Sequence, residues 1–268
     1  MHKLSCLRLY YFIGLIIGLL SIETKAEIDK FQTDADESWQ IVLPIRQICM
    51  GKPWSKIVWI HLHDNEETSR QVALQKLSVL RQGCLIDLPH GGRREISINT
   101  PKVSYSFDPN RIFTVNGRQA ALHCRRGDCA FALTQLSLAA EEMLSQYLQQ
   151  SQLIVAMHNN HASGLSVLSY QQGVKMANVV RQVAINPEQN PHDFFLVTMK
   201  QAYDFLSQQG FNVVLQNNLA VSDDGSLSVL AGQKQIDYIN IEAGIGHSKV
   251  QAAMLDAVWL YMLNYYLK

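Results

Sequence analysis

The sequence is short of charge. Only 17% of its 268 residues are Asp, Glu, Lys or Arg, and 23 acidic residues cancel 23 basic ones. Without a cationic excess there is no electrostatic footprint for phosphate contacts, which excludes a nucleic-acid binder that works by counterion release. The N-terminal apolar stretch, residues 9–20 (LYYFIGLIIGLL), has 12 residues, short of the roughly 20 that a bilayer span needs. No Cys-x-x-Cys pair occurs, so a zinc knuckle is disfavoured. No internal repeat, low-complexity tract or linker breaks the chain. What is present is 47% hydrophobic residues, which excludes intrinsic disorder and provides for a large core in one domain or at most two.

Residues 1–26 have the layout of a secretory signal peptide. Lys3 and Arg8 precede the apolar stretch, and Thr24-Lys25-Ala26 places small residues where a signal peptidase reads. An uncleaved anchor is the alternative, and the shortness of the stretch argues against it. Cleavage after Ala26 removes Lys3, Arg8, Lys25 and Glu23 and leaves a slightly acidic chain of 242 residues with 20 basic and 22 acidic groups. The expected location is periplasmic or secreted, with the membrane met only transiently through the signal peptide. Residues 27–268 are expected to form a single domain whose first residues, 27–40, are a loose polar arm. Cysteine usage agrees with export: Cys49, Cys84, Cys124 and Cys129 form an even set suited to a compartment where disulfides persist. Three pairings are open. Cys124 and Cys129 flank a turn-like Arg125–Asp128 insert, which favours that pair and leaves Cys49 with Cys84.

Strand and helix signals alternate along the rest. Residues 57–62 and 153–157 (LIVAM) read as short buried strands. Further strands are expected at 84–88, 95–98, 103–107, 211–215 and 237–241. Helices are expected at 67–82, stopped by Gly83, and at 130–149, 199–209 and 248–267. Asp223-Asp224-Gly225 reads as a hairpin turn leading into a strand at Leu227–Leu230, with calcium binding disfavoured for want of further spaced oxygen ligands. This order implies an α/β fold: a mixed, centrally parallel sheet with helices on both faces.

In such sheets ligands bind beyond the carboxyl ends of the strands. There the first run ends in His63-Asp64-Asn65-Glu66, the LIVAM run in His158-Asn159-Asn160, and the last strand in Glu242. Two histidines and a glutamate are a known ligand set for catalytic zinc, and a further carboxylate outside the ligand shell can take a proton from water. His63, Glu66 and His158 are therefore the expected ligands of a Zn²⁺ cofactor, and Glu242 the general base.

The same residues resemble the zinc carboxypeptidase superfamily, closest to its succinylglutamate desuccinylase/aspartoacylase branch. His63-Asp64-Asn65-Glu66 is similar to the family's His-x-x-Glu ligand pair, Met157–Asn160 to its third-ligand His-Asn segment, and Ile241-Glu242-Ala243 to the strand end that presents its catalytic glutamate. Phe107–Phe113 (FDPNRIF) looks like the Asp-x-Asn-Arg-x-Phe segment whose Asn-Arg pair holds a substrate carboxylate. Four such segments in the family's order, across residues 55 to 260, imply a zinc carboxypeptidase-like fold and metal-assisted amide hydrolysis. Asn110 and Arg111 are thereby implied to clamp a carboxylate, so the partner is a small peptide or acylated amino acid with a free carboxylate. The resemblance also implies a further, oxyanion-stabilising arginine. None lies between Glu95 and Asn110, and Arg93 and Arg94 in the preceding loop are the substitutes. No counterpart of the small β domain that follows the catalytic domain in that branch is expected, since only one helix is read after Glu242.

Beside these residues, His61 reads as a buried structural histidine and His161 and His247 as loop polarity. Tyr170 is a candidate hydrogen-bond donor to substrate or a half-buried strand tyrosine. Two classes of function follow: an exported zinc amidohydrolase, acting either as a carboxypeptidase on short or cell-wall peptides or as an N-acyl amino acid deacylase, and a non-catalytic peptide-binding module on the same fold. Export favours the carboxypeptidase. Glu242 argues against the pure binder, which has no use for a base.

Overall fold

The computed structural model describes residues 40–174 and 176–267. The signal peptide expected at residues 1–26 and the arm expected from residue 27, Gln40 apart, lie outside the described residues. The chain then runs β1 (Arg46–Cys49), β2 (Ile57–His61), α1 (Glu67–Leu80), β3 (Cys84–Asp87), β4 (Ile96–Asn99), β5 (Ser104–Phe107), α2 (Val115–Ala121), β6 (His123–Arg126), α3 (Cys129–Met143), β7 (Leu153–Asn160), β8 (Val180–Ala184), β9 (Phe194–Val197), α4 (Lys200–Gln208), β10 (Val213–Gln216), α5 (Leu227–Lys234), β11 (Asp237–Gly244) and α6 (Ser248–Tyr265).

Eight of these strands pair in the order β1-β3-β2-β7-β11-β9-β10-β8, and β4-β5-β6 form a small second sheet. At the centre β3, β2, β7 and β11 are parallel. β9 and β10 run parallel to each other but antiparallel to β11, and antiparallel β1 and β8 form the two edges. The fold is thus the expected mixed α/β sheet with a parallel centre.

Strand alternation divides the core. Leu153, Val155 and Met157 of β7 and Ile239, Ile241 and Ala243 of β11 point into one apolar cluster with Val72, Ala73 and Leu77 of α1, Ala202 and Leu206 of α4, and Met254, Leu255 and Val258 of α6. The intervening residues, among them His158, Asn160, Asn240 and Glu242, therefore face the other way. α5 packs on β11 with buried residues that stand outside that cluster, so helices cover both faces. On α6, Leu260 and Leu263 are exposed, whereas Tyr261 and Met262 are buried. No helix among the described residues is long and apolar enough to cross a membrane. Both disulfides are formed: Cys49–Cys84 joins directly opposed residues of β1 and β3, and Cys124–Cys129 closes the turn between β6 and α3.

Several elements differ from expectation. Leu227–Leu230 is not a strand after a hairpin but the first turn of α5. The acidic turn caps a helix instead: Asp224 Oδ1 accepts from the Ser226 amide at 3.0 Å and Asn110 Oδ1 from the Leu227 amide at 3.1 Å. α1 stops at Leu80 through Arg81, which takes the left-handed conformation (φ 51°), rather than at Gly83. Gly83 serves packing, since a Cβ there would fall 2.3 Å from the Trp54 ring. Tyr170 lies in a 3₁₀ turn, Val167–Tyr170, not in a strand. β7 and β11 each run three residues beyond the expected ends, because their backbones keep pairing through Glu242↔His158 to Gly244↔Asn160. Thus His158 and Glu242 lie within strands.

A candidate metal centre at the carboxyl ends of β2, β7 and β11

β2 ends at His61, and the chain turns so that His63 follows the strand and Glu66 caps α1. His158 arrives from β7, next in the sheet. The three side chains meet: His63 Nδ1 is 3.0 Å from Glu66 Oε1, His158 Nδ1 is 2.9 Å from Glu66 Oε2, and the two Nδ1 atoms are 3.2 Å apart. All three residues are buried, with exposures of 1%, 3% and 3% for His63, Glu66 and His158. They form a group whose ligand atoms lie within 4.8 Å of one another.

The donor set fits a divalent metal. Ligand atoms about 2.0–2.1 Å from a tetrahedral ion stand about 3.3 Å from each other, close to the separations found here. The tautomer is also suitable. His63 Nε2 donates to Asp108 Oδ1 at 2.7 Å, which in the neutral ring leaves the Nδ1 lone pair facing the centre. The electrostatics call for positive charge there. Burial alone would push the Glu66 carboxyl up, but the charge and hydrogen bond of His158, and then those of His63, hold it well below the usual carboxylate range. Burial lowers the His63 imidazole, yet its hydrogen bonds to Asp108 and Glu66 and their charges leave it raised above its ordinary value. Asp108 is likewise held ionised: burial raises its carboxyl, but His63 and then Arg94 bring it well below normal.

The surroundings fix these ligands. Glu66 Oε2 also accepts from the Asn159 amide at 3.1 Å, and Asn159 Oδ1 accepts from the Ser69 amide of α1 at 2.7 Å. His61 is a fully buried structural histidine: Nδ1 is 2.9 Å from Asp87 Oδ1 and Nε2 is 3.1 Å from the Glu66 carbonyl. Arg94 spans the mouth of the site, with Nη1 3.2 Å from Glu66 Oε1 and Nη2 3.1 Å from Asp108 Oδ2.

Glu242 stands in register with His158 on the neighbouring strand and on the same face, outside the ligand group. Two carboxamides hold its carboxylate: Asn240 Nδ2 donates at 3.0 Å and Asn160 Nδ2 at 3.4 Å. Arg111 and Asn110 lie in the 3₁₀ turn Pro109–Arg111. The Asn110 side-chain Oδ1 is committed to α5, and Arg111 stands 3.6 Å from Asp224. Tyr170 is buried with its ring 5.8 Å from Phe194. Burial and then the Glu242 charge push its hydroxyl pKa up, while Arg111 draws it down and Asp224 raises it. His247 pairs with Asp193 at 2.9 Å beside a cavity of about 690 Å³ that contains none of the ligand candidates. His161 is exposed.

Asp108 lies inside the Phe107–Phe113 segment, yet its hydrogen bond to His63 was not foreseen. Asn240 carried no local signal, and Asn160 and Asp224 were legible only as parts of the His-Asn segment and of an acidic turn. Arg94 was named with Arg93 as a substitute for the family's oxyanion-stabilising arginine, but its contact with Glu66, 28 positions away, is a product of the fold.

No protein-family model matches the chain, and no curated protein matches it. Among solved structures it is similar to an aspartoacylase family protein from Mesorhizobium loti, at 12% identity and a TM-score of 0.40 over 80% of this chain. It is also similar to a protein described as a metallopeptidase from Shewanella baltica, at 16% identity and a TM-score of 0.35, with 81% of each chain covered. The chain spans 59% of the length of the aspartoacylase family protein.

Proposed function

We propose that this chain is an exported zinc-dependent amidohydrolase, a metallocarboxypeptidase acting on short or cell-wall peptides with a free carboxylate. The observation that carries the reading is the convergence of His63, Glu66 and His158 with Glu242 in register beside them. A zinc ion in that group would supply Lewis acidity and an acidified water near neutral pH. The chain's own residues do the rest. Glu242, steadied by Asn160 and Asn240, receives the water's proton and passes it to the leaving amine. Arg111 offers a planar fork to the substrate carboxylate. Arg94, half-exposed at the mouth, is placed to stabilise negative charge that develops on the scissile carbonyl oxygen. The disulfides support an oxidising compartment and so the exported location.

The test separates metal from chemistry. The mature chain is loaded with zinc and incubated with purified muropeptides and, in parallel, with N-acyl amino acids, and products are read by mass. The expected result is loss of single residues from the peptides, with Glu242→Gln keeping its zinc while turnover falls by about 10²-fold or more. Loss of acyl groups from the second panel alone would assign a deacylase instead. Turnover undiminished in Glu242→Gln would overturn the role given to that residue.

A further inference from the structure

The loops that carry Arg111 and Asp224 are locked to one another. The Phe113 amide donates to the Gly225 carbonyl at 3.0 Å, the Leu227 amide to Asn110 Oδ1 at 3.1 Å, and the Thr114 hydroxyl to Asp223 Oδ1 at 2.6 Å. Gly117 and Gly225 touch so closely that a Cβ on Gly117 would fall 2.1 Å from the Gly225 Cα. On this platform the Ser226 amide pins Asp224 Oδ1 at 3.0 Å, and Arg111 Nη1 donates to the Asn110 carbonyl at 2.9 Å. The remaining atoms, Arg111 Nη2 and Asp224 Oδ2, stand 3.6 Å apart, too far for a direct hydrogen bond. Their side chains are 36% and 50% exposed. An exposed pair of this kind contributes little to stability, whereas much structure is spent on presenting it.

We infer that Arg111 and Asp224 together form the anchoring subsite for a zwitterionic amino-acid end, Arg111 taking its carboxylate and Asp224 the ammonium on the same carbon. This deepens the carboxylate-clamp reading of Arg111 and rests on it. A carboxylate arriving alone must compete with Asp224 for the guanidinium and is repelled by the aspartate. An end bearing both charges meets an opposite charge on each side, so the aspartate rejects the simple acid while it accepts the amino acid. Asp224 is then the specificity-determining residue. Arg111 ends the 3₁₀ turn that Asp108 caps, and Asp108 accepts from His63 Nε2 at 2.7 Å, which ties the anchor to the candidate centre. The substrate class narrows accordingly: the leaving amine belongs to a diamino acid that is linked through one nitrogen and keeps its other ammonium free beside a carboxylate. Succinyl or N-acyl groups whose carboxylate stands alone are disfavoured.

Two ligands that differ by one ammonium test this: Nε-acetyl-lysine and 6-acetamidohexanoate, titrated calorimetrically into the zinc-loaded mature chain on a Glu242→Gln background that removes turnover. The expected result is about tenfold tighter binding of Nε-acetyl-lysine, with Asp224→Asn bringing the two ligands to within about twofold and Arg111→Met weakening both. Asparagine keeps the oxygen that caps α5, and circular dichroism checks that each variant is folded. Equal affinities in the parent chain, binding of neither ligand, or a preference that survives Asp224→Asn would overturn the inference. If Arg111→Met weakens both ligands but Asp224→Asn changes nothing, the clamp stands and the zwitterion subsite alone is refuted. If Arg111→Met leaves both unchanged, the clamp itself is wrong.

Discussion

At the scale of single residues, the centre is built from groups that stabilise one another only if positive charge is supplied. Glu66 is buried among four donors, from His63, His158, Asn159 and Arg94, and remains ionised against the cost of its burial. His63, with its pKa raised above the ordinary 6.5, takes up a proton when no ion is present. The sign follows. In the metal-free protein the His63 contribution to stability is complete below its unfolded-state pKa and is lost as pH rises through the raised folded value. Metal must displace that proton, so affinity for zinc should increase with pH, by up to about tenfold per unit while one proton is exchanged. A competition titration with a chelating dye between about pH 6 and pH 8 reads this, and a flat profile would contradict it. In the same assay Asp108→Asn, which leaves the His63 ring without its carboxylate partner, should weaken zinc binding by about 10–100-fold.

At the scale of elements, the site depends on where strands stop and loops lock. His158 and Glu242 were read as lying after their strands because the residues there turn polar. Backbone pairing between β7 and β11 takes no account of that polarity, and it carries both side chains inside the strands in register. β1, β6 and β8 were missed because none of their residues is buried, and β9 was missed although three of its four residues are. The acidic turn at 223–225 was misread because a helix cap and a hairpin turn use the same residues, and only the partner across the fold, Asn110, distinguishes them. Gly225 holds φ 78°, and a side chain there would fall 2.2 Å from the Arg111 carbonyl. Gly225→Ala should therefore lower the urea midpoint by an amount equivalent to about 2 kcal/mol or more and weaken both anchoring ligands. Unchanged stability and binding would show that the Gly117–Gly225 contact does not hold the platform.

At the scale of the whole molecule, a parallel sheet centre brings to one edge residues that lie 95 positions apart in the chain for His63 and His158 and 82 apart for Asn160 and Glu242. The candidate ligands His63, Glu66 and His158 and the candidate base Glu242 stand out in the sequence because each follows or ends an apolar run. Their supports stand out less: Asp108 and Arg94 reach the centre only once distant loops meet, and Asn240, two residues before Glu242 on β11, has no signal of its own. The low overall charge conceals this concentration: imidazoles, carboxylates and guanidinium groups that cancel in the sum are gathered at one place. The most direct measurement is zinc bound per purified mature chain after equilibration with excess zinc and removal of loose metal, with His63→Ala and His158→Ala alongside. The expected result is about one ion in the parent chain, a thermal midpoint raised by zinc in line with roughly 4 kcal/mol at a thousandfold excess over Kd, and loss of both in the variants. A folded parent chain that retains no zinc, or variants that retain it undiminished, would contradict the assignment of His63, Glu66 and His158 as a metal centre.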